Sequence, residues 1–130
     1  LGCAALAVAI HGDKDQTVRS QIMHEFRTGK YQILVATDVA ARGLDIKDVN
    51  VVVNYDAARN LDTHVHRCGR TGRMGRDGVR PGTAYTLLCR NETAFAPDLE
   101  RNLRLSGQPV PRELQDMVNF GGGRRGRAGL

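Results

Sequence analysis

Cysteine is scarce in this chain: Cys3, Cys68 and Cys89 are odd in number, far apart, and form no CxxC pair. That pattern argues against a disulfide framework and a zinc ribbon, and it fits a reducing compartment. No run of about 18 apolar residues exists, so no membrane-spanning helix and no membrane partner is expected. The opening, LGCAALAVAIHG, lacks both a charged leading segment and an initiator Met; it reads as a cut edge rather than a signal peptide. Lysine is also sparse, with Lys14, Lys30 and Lys47 set against sixteen arginines. Arginine offers a planar fork that matches phosphate oxygens in pairs, so a net charge of +5 carried almost wholly by Arg points to phosphate or nucleic acid. A solvated basic surface is the competing reading of charge alone.

What is present fits one domain with an appendage: 130 residues, 41% of them apolar, are too few for two ordinary domains. Ala7 to Ile10 is a short apolar run closed by His11-Gly12, as a buried strand would be. The period then changes to helical, with Val18, Ile22, Met23 and Phe26 on one face, Asp15 as N-cap and Gly29 just past the end. Ile33 to Ala36 and Val51 to Val53 are further continuous apolar runs, the pattern of parallel strands covered on both faces. Asn60 is placed to cap a helix reaching about Gly69, and Thr83 to Leu88 reads as another strand. Phe95, Leu99 and Leu103 space out as an amphipathic helix. Pro111 sits at the first turn of a last helix that carries Leu114, Met117 and Val118. Strands alternating with helices predict an α/β fold with a mainly parallel sheet over residues 1–120. Residues 121–130, GGGRRGRAGL, have almost nothing to bury and are expected to form a flexible basic tail.

In open parallel α/β sheets, ligands lie beyond the carboxyl ends of the strands, so the loops after them are searched first. Four are rich: His11-Gly12-Asp13 with Gln16 and Arg19, the stretch Ala36 to Ile46, Asn54-Tyr55-Asp56, and His66 to Gly78. Thr37 and Asp38 follow an apolar strand directly, where a hydroxyl and backbone amides can hold a phosphate; capping of the next helix is the competing role. Gly43 allows a turn that brings Asp45 to the strand end, where its carboxylate can accept from a ribose hydroxyl or stand as a surface turn residue.

The last loop, HRCGRTGRMGRDG, sets Arg67, Arg70, Arg73 and Arg76 three apart between glycines. Like charges at that density repel unless an anion is near, and two arginines on one phosphoryl group would neutralise the charge developing in phosphoryl transfer. Four triplets with proline only at Pro81 are too few for collagen. His64, His66 and Cys68 at alternate helical positions turn His66 away from the other two, against a shared metal ion. A disordered Arg-Gly segment that binds RNA without catalysis remains the rival, opposed by the partly apolar, helical lead-in from Leu61 to His66.

Taken in order, these segments resemble the DEAD-box family of RNA helicases. HGD with Gln16 and Arg19 is similar to its QxxR element, ATDVAARGLDI to its motif V, VNYD to the strand end that follows, and HRCGRTGR to its motif VI. The resemblance covers about residues 7–118, and four ordered motifs are far more specific than one glycine-rich loop. It implies the RecA-like C-terminal lobe of an ATP-dependent RNA helicase, an α/β three-layer domain.

By position it implies that Arg70 and Arg73 act as arginine fingers on the ATP γ-phosphate, and that Asp45, with Gly43, meets the ribose. His66, counted with these arginines among the catalytic residues, and Arg42 match residues that meet the N-terminal lobe. Arg19 and Thr37, with Asp38, match positions holding RNA phosphates, and Gln16 supports that contact. The implied cofactors are ATP and Mg2+, the latter held mainly by the N-terminal lobe, because this sequence has neither a GxxxxGK[ST] phosphate loop nor an Asp-Glu-Ala-Asp element. The implied partners are single-stranded or locally duplex RNA and that N-terminal lobe in the same chain. Two departures stand out: Val79 to Gly82 are extra relative to the family turn, and Cys68 replaces an aliphatic residue. NETAFAPDLERNLRLSGQPVPRELQDM is most similar to the subgroup associated with the branch-site-recognising spliceosomal particle, which implies nuclear pre-mRNA splicing with spliceosomal protein partners. Ribosome assembly, general mRNA handling and a cytoplasmic location are the alternatives.

Overall fold

A computed structural model describes residues 6–75 and 78–122; of the tail expected over residues 121–130, Gly121 and Gly122 instead end the last helix, and the remainder lies outside the described residues. The chain falls into two compact units, residues 1–46 and 47–130. In the first, β1 (Ala7–Ile10) and β2 (Ile33–Ala36) pair in parallel, with Ala7 opposite Ile33 and Ile10 opposite Ala36. Parallel strands need a crossover between them, which here is α1 (Gln16–Arg27). Asp15 caps α1 as expected, accepting from the Thr17 N–H, and Thr28 closes its other end by donating to the His24 carbonyl. Gly29 follows at φ 85, the left-handed geometry that ends many helices. Ile10, Ile22 and Met23 are buried, whereas Val18 in the exposed first turn is not. A single turn, α2 (Asp38–Ala41), follows β2.

The second unit opens with Asp48 at φ 59, a conformation that Asp tolerates better than branched residues, and then β3 (Val51–Asn54). β3 pairs in parallel with β6 (Thr83–Thr86), Val51 opposite Thr83 and Asn54 opposite Thr86. β6 stops two residues short of the expected Leu88, although the Leu87 N–H still donates to the Asn54 carbonyl. Between them come α3 (Leu61–Cys68), capped by the Asn60 side chain on the Thr63 N–H, and a hairpin of β4 (Arg73–Gly75) and β5 (Gly78–Arg80). The residues read from the sequence as an insertion therefore build β5 and the approach to β6.

α4 (Ala96–Leu105) has no side-chain cap, but Pro97 in its first turn removes one N–H that would otherwise lack a partner. Pro111 immediately precedes α5 (Arg112–Gly122), its carbonyl accepting from Leu114 and Gln115. α5 packs back as expected: Phe95, Ala96, Leu99 and Leu114 form the buried core, flanked by Leu103, Met117 and Val118. Each large side chain of that set contributes about 1.5–3 kcal/mol by leaving water.

The α/β class with parallel strand pairs is what the alternating pattern predicts. Among the described residues cover on both strand faces is not found: Val35 and Val53 are 57% and 58% exposed. Successive side chains point to opposite faces of a strand, so an apolar run alone does not show that both faces are covered. Among the described residues no helix is long and apolar enough to cross a membrane.

Candidate functional site

In the first unit the loop after β1 closes through the Lys14 N–H on the His11 carbonyl. α1 begins at Gln16, which is exposed, and one turn on comes Arg19, half-buried. Arg19 donates from Nη2 to the carbonyl oxygen of Ala40 at 2.9 Å, and Ala40 is wholly buried. The Nε of Arg19 is buried without a hydrogen-bond partner. One end of the guanidinium is thus fixed on α2, the turn that Thr37 and Asp38 begin.

The capping alternative for Thr37 holds: its Oγ1 accepts from the Ala40 N–H at 3.2 Å. A hydroxyl that accepts one bond still has its own hydrogen to donate, and Thr37 is exposed, so capping and anion binding are compatible. Arg42, exposed, ends α2 in extended backbone. Gly43 turns the chain at φ 74 with open space where a Cβ would stand, as expected for a turn that others resist. Asp45 is exposed, and its carbonyl is held by Arg27 Nη2 at 2.6 Å. That grip by Arg27 was not legible in the sequence, because it joins residues 18 apart with no local pattern to mark it.

In the second unit Asn54 ends β3 and is 2% exposed, donating to Thr86 Oγ1 at 3.1 Å and lying 3.8 Å from Cys68 Sγ. On α3 the buried His64 packs its ring against Phe95, centroids 5.6 Å apart, and its Nε2 is 3.5 Å from Cys68 Sγ. Burial, helped by the Arg67 charge, holds the His64 imidazole below the usual histidine value. Burial pushes the Cys68 thiol up, against the Asn54 contact and Arg67. Both shifts favour neutral forms, so His64 and Cys68 make a structural pair rather than a thiolate and its base. His66 is exposed, away from that pair, and no three metal-ligating side chains converge among the described residues.

Arg67 reaches back to the Asp56 carbonyl at 2.6 Å. Gly69 ends α3, and Arg70 follows half-buried, its N–H donating to the Arg67 carbonyl and its own carbonyl accepting from Val49. Thr71 bridges to Val49 and donates from Oγ1 to the Asn50 carbonyl at 2.9 Å. Gly72 at φ 82 then turns the backbone, and Arg73 begins β4. The structure therefore sets the backbones of Arg70 and Arg73 in one pinned four-residue span; the side chain of Arg73, and Arg76 entirely, lie outside the described residues. Asn50, which organises this span, carries no motif and was not singled out from sequence. Arg19, Thr37, Asp38, Arg42, Gly43 and Asp45 gather around α1 and α2 in the first unit, whereas His66, Arg70 and Arg73 belong to the second.

The model of the helicase conserved C-terminal domain matches residues 4–75. DEAD-box ATP-dependent RNA helicase 24 of Oryza sativa subsp. japonica is 53% identical over 110 residues, which is 85% of this chain and 14% of the rice protein. Among solved structures, the yeast DEAD-box splicing factor Prp28 superposes with a TM-score of 0.76 at 32% identity, over 89% of this chain and 26% of Prp28. The RNA helicase Prp28 from Chaetomium thermophilum, bound to ADP, gives a TM-score of 0.70 at 38% identity, over 84% of this chain and 26% of that protein. The chain thus spans about one seventh of the rice protein's length.

Proposed function

The chain belongs to the DEAD-box RNA helicases and carries their conserved C-terminal, RecA-like domain, and from that premise we propose that it completes an ATP site built largely by a preceding lobe. In this reading Arg70 and Arg73 stabilise the charge that develops on the γ-phosphate, and the two lobes close around ATP and RNA before hydrolysis reopens them. His66 and Arg42 meet the other lobe, and Asp45, presented by the Gly43 turn, meets the ribose. Arg19 and Thr37, with Asp38 beside them and Gln16 in support, hold RNA through its phosphates. The chain alone runs no ATPase cycle.

The observation that carries the reading is the backbone from Gly69 to Arg73. The Arg70 carbonyl is held by Val49 and the Thr71 hydroxyl by the Asn50 carbonyl, and the left-handed Gly72 then leads into Arg73, so the backbone between the two arginines is pinned. A backbone held in place in advance lowers the reorganisation its arginines need when charge develops. When bound, Mg2+ would help neutralise the charge that develops on the phosphates. The described residues offer no group of three ligands that fits it, and the reading assigns it to the preceding lobe.

RNA contact through phosphates carries no sequence readout, so binding weakens steeply with salt. The test is ATP hydrolysis by the full-length protein with single-stranded RNA, single-stranded DNA or neither. Stimulation by RNA alone supports the reading; equal stimulation by DNA makes it a DNA-directed relative, and salt-insensitive RNA binding refutes phosphate grip.

We further propose a nuclear role in pre-mRNA splicing with spliceosomal proteins as partners, supported by the likeness to a splicing factor. Depletion in the source organism is expected to raise intron retention. Normal splicing with accumulated ribosomal RNA precursors would assign the protein to ribosome assembly instead.

A further inference from the structure

Gly82 lies where the hairpin returns to the sheet. A Cβ built on it would run into the Gly72 nitrogen and the Thr71 hydroxyl, and would sit 2.6 Å from the Thr71 carbonyl carbon. The crowding is mutual, since a Cβ on Gly72 would meet the Gly82 nitrogen at 3.3 Å. Two of these neighbours are backbone atoms, so no rotamer change relieves the overlap. Immediately after Gly82, the Thr83 N–H donates to the Asn50 carbonyl, which also accepts from Thr71 Oγ1. The link between Arg70 and Arg73 is thereby trapped between the start of β3 and the start of β6, with one carbonyl holding both sides.

The antiparallel ladder supports the same crossing. Arg73 lies opposite Arg80 and Gly75 opposite Gly78, which returns the chain after β5 to the level of Gly72. The residues Val79 to Gly82, read from the sequence as extra, supply most of β5 and the contact residue itself.

We infer that Gly82 is a positioning residue for the arginine pair: its missing side chain lets β6 clamp the Thr71-Gly72 link and so sets the spacing of Arg70 and Arg73. The inference rests on the ATPase reading above. Any side chain at position 82 must push the link by the better part of an ångström, and misplacement on that scale costs about a hundredfold in rate when the reacting groups are affected. Because Gly82 touches the link rather than substrate, the loss falls on turnover and not on binding.

The experiment compares Gly82→Ala, Arg70→Ala and Gly107→Ala in the full-length protein for RNA-stimulated kcat, KM for ATP, RNA affinity and Tm. Gly107, at φ 69 with no atom within 4 Å of a built Cβ, controls for substitution at a glycine that does not touch the link. Gly82→Ala is expected to lower kcat about tenfold to a hundredfold, with KM and RNA affinity near those of the parent, a Tm lowered by the overlap the added Cβ creates, and Gly107→Ala within about twofold in kcat. Unchanged kcat in a folded Gly82→Ala protein overturns the inference, as does a parallel loss of kcat, ATP binding and RNA binding. If Arg70→Ala is fully active, the ATPase reading fails first and takes the inference with it; if only Gly82→Ala is fully active, the inference alone fails. Should Gly82→Ala not fold, Thr71→Val and Thr71→Ser decide. The serine variant, which keeps the bond to Asn50, is expected to retain kcat that the valine variant loses, and equal activity in the two overturns the clamp.

Discussion

Asn54 donates to Thr86 across the parallel pair of β3 and β6, 3.1 Å from Nδ2 to Oγ1, at a position only 2% exposed. Removing a partner from a buried hydrogen bond costs more than the bond's net worth, because the remaining group keeps its desolvation penalty. Asn54→Ala is therefore expected to destabilise the domain by about 1–3 kcal/mol. Urea unfolding of the parent and variant proteins measures it, and a difference below about 0.5 kcal/mol, the usual size of a surface substitution, would place no weight on this bond.

Arg19 divides its guanidinium between a structural bond to the Ala40 carbonyl and the RNA contact proposed for it. Arg19→Lys loses the fork while keeping the charge. RNA affinity is expected to fall in Arg19→Ala for all sequences alike, and the slope of log affinity against log salt to shrink by about 0.7, the share of one single-strand phosphate contact. An unchanged slope with reduced stability would make Arg19 purely structural.

His64 supplies a pH dependence with a definite sign. Its pKa is lowered in the fold by burial and by Arg67, so the unfolded chain takes up the proton first as pH falls below about 6.5. The stabilisation is complete above that value and is lost as pH drops toward the lower folded pKa. Thermal unfolding between pH 7.5 and pH 5.5 is expected to show a steeper decline for the parent than for His64→Gln. Parallel curves would mean that His64 titrates alike in both states.

Leu99 sits in the core that joins α4 to α5. Truncation to Ala there leaves a cavity and is expected to cost about 2–5 kcal/mol, read as a lower denaturation midpoint with an unchanged slope on denaturant. A cost under about 1 kcal/mol would show that α5 is not held by this core.

Local signals in the sequence were reliable because their physics is local. Asp15, Gly29 and Asn60 end helices through atoms a few residues away, and Gly43 turns the chain within its own residue. The apolar runs give β1, β2 and β3 for the same reason. What the sequence did not reveal depends on distant partners. The open faces bearing Val35 and Val53 depend on what packs against each strand, which an apolar run does not encode. β4 and β5 have no apolar alternation, since RMG and GVR read as a basic glycine-rich loop. Among the candidate site residues, motif and position single out Arg19, Thr37 and Arg70. Their restraints by Ala40, Val49 and Asn50 were not, because those act through backbone carbonyls and amides that every residue possesses.

The most direct test of the account is RNA-stimulated ATP hydrolysis by the full-length protein beside its Arg70→Ala and Arg73→Ala variants. The account predicts that each substitution lowers kcat by about 10³-fold or more, the range for loss of an arginine finger, while the protein stays folded and still binds RNA. Turnover indifferent to both changes would contradict it, leaving a RecA-like scaffold whose work is binding.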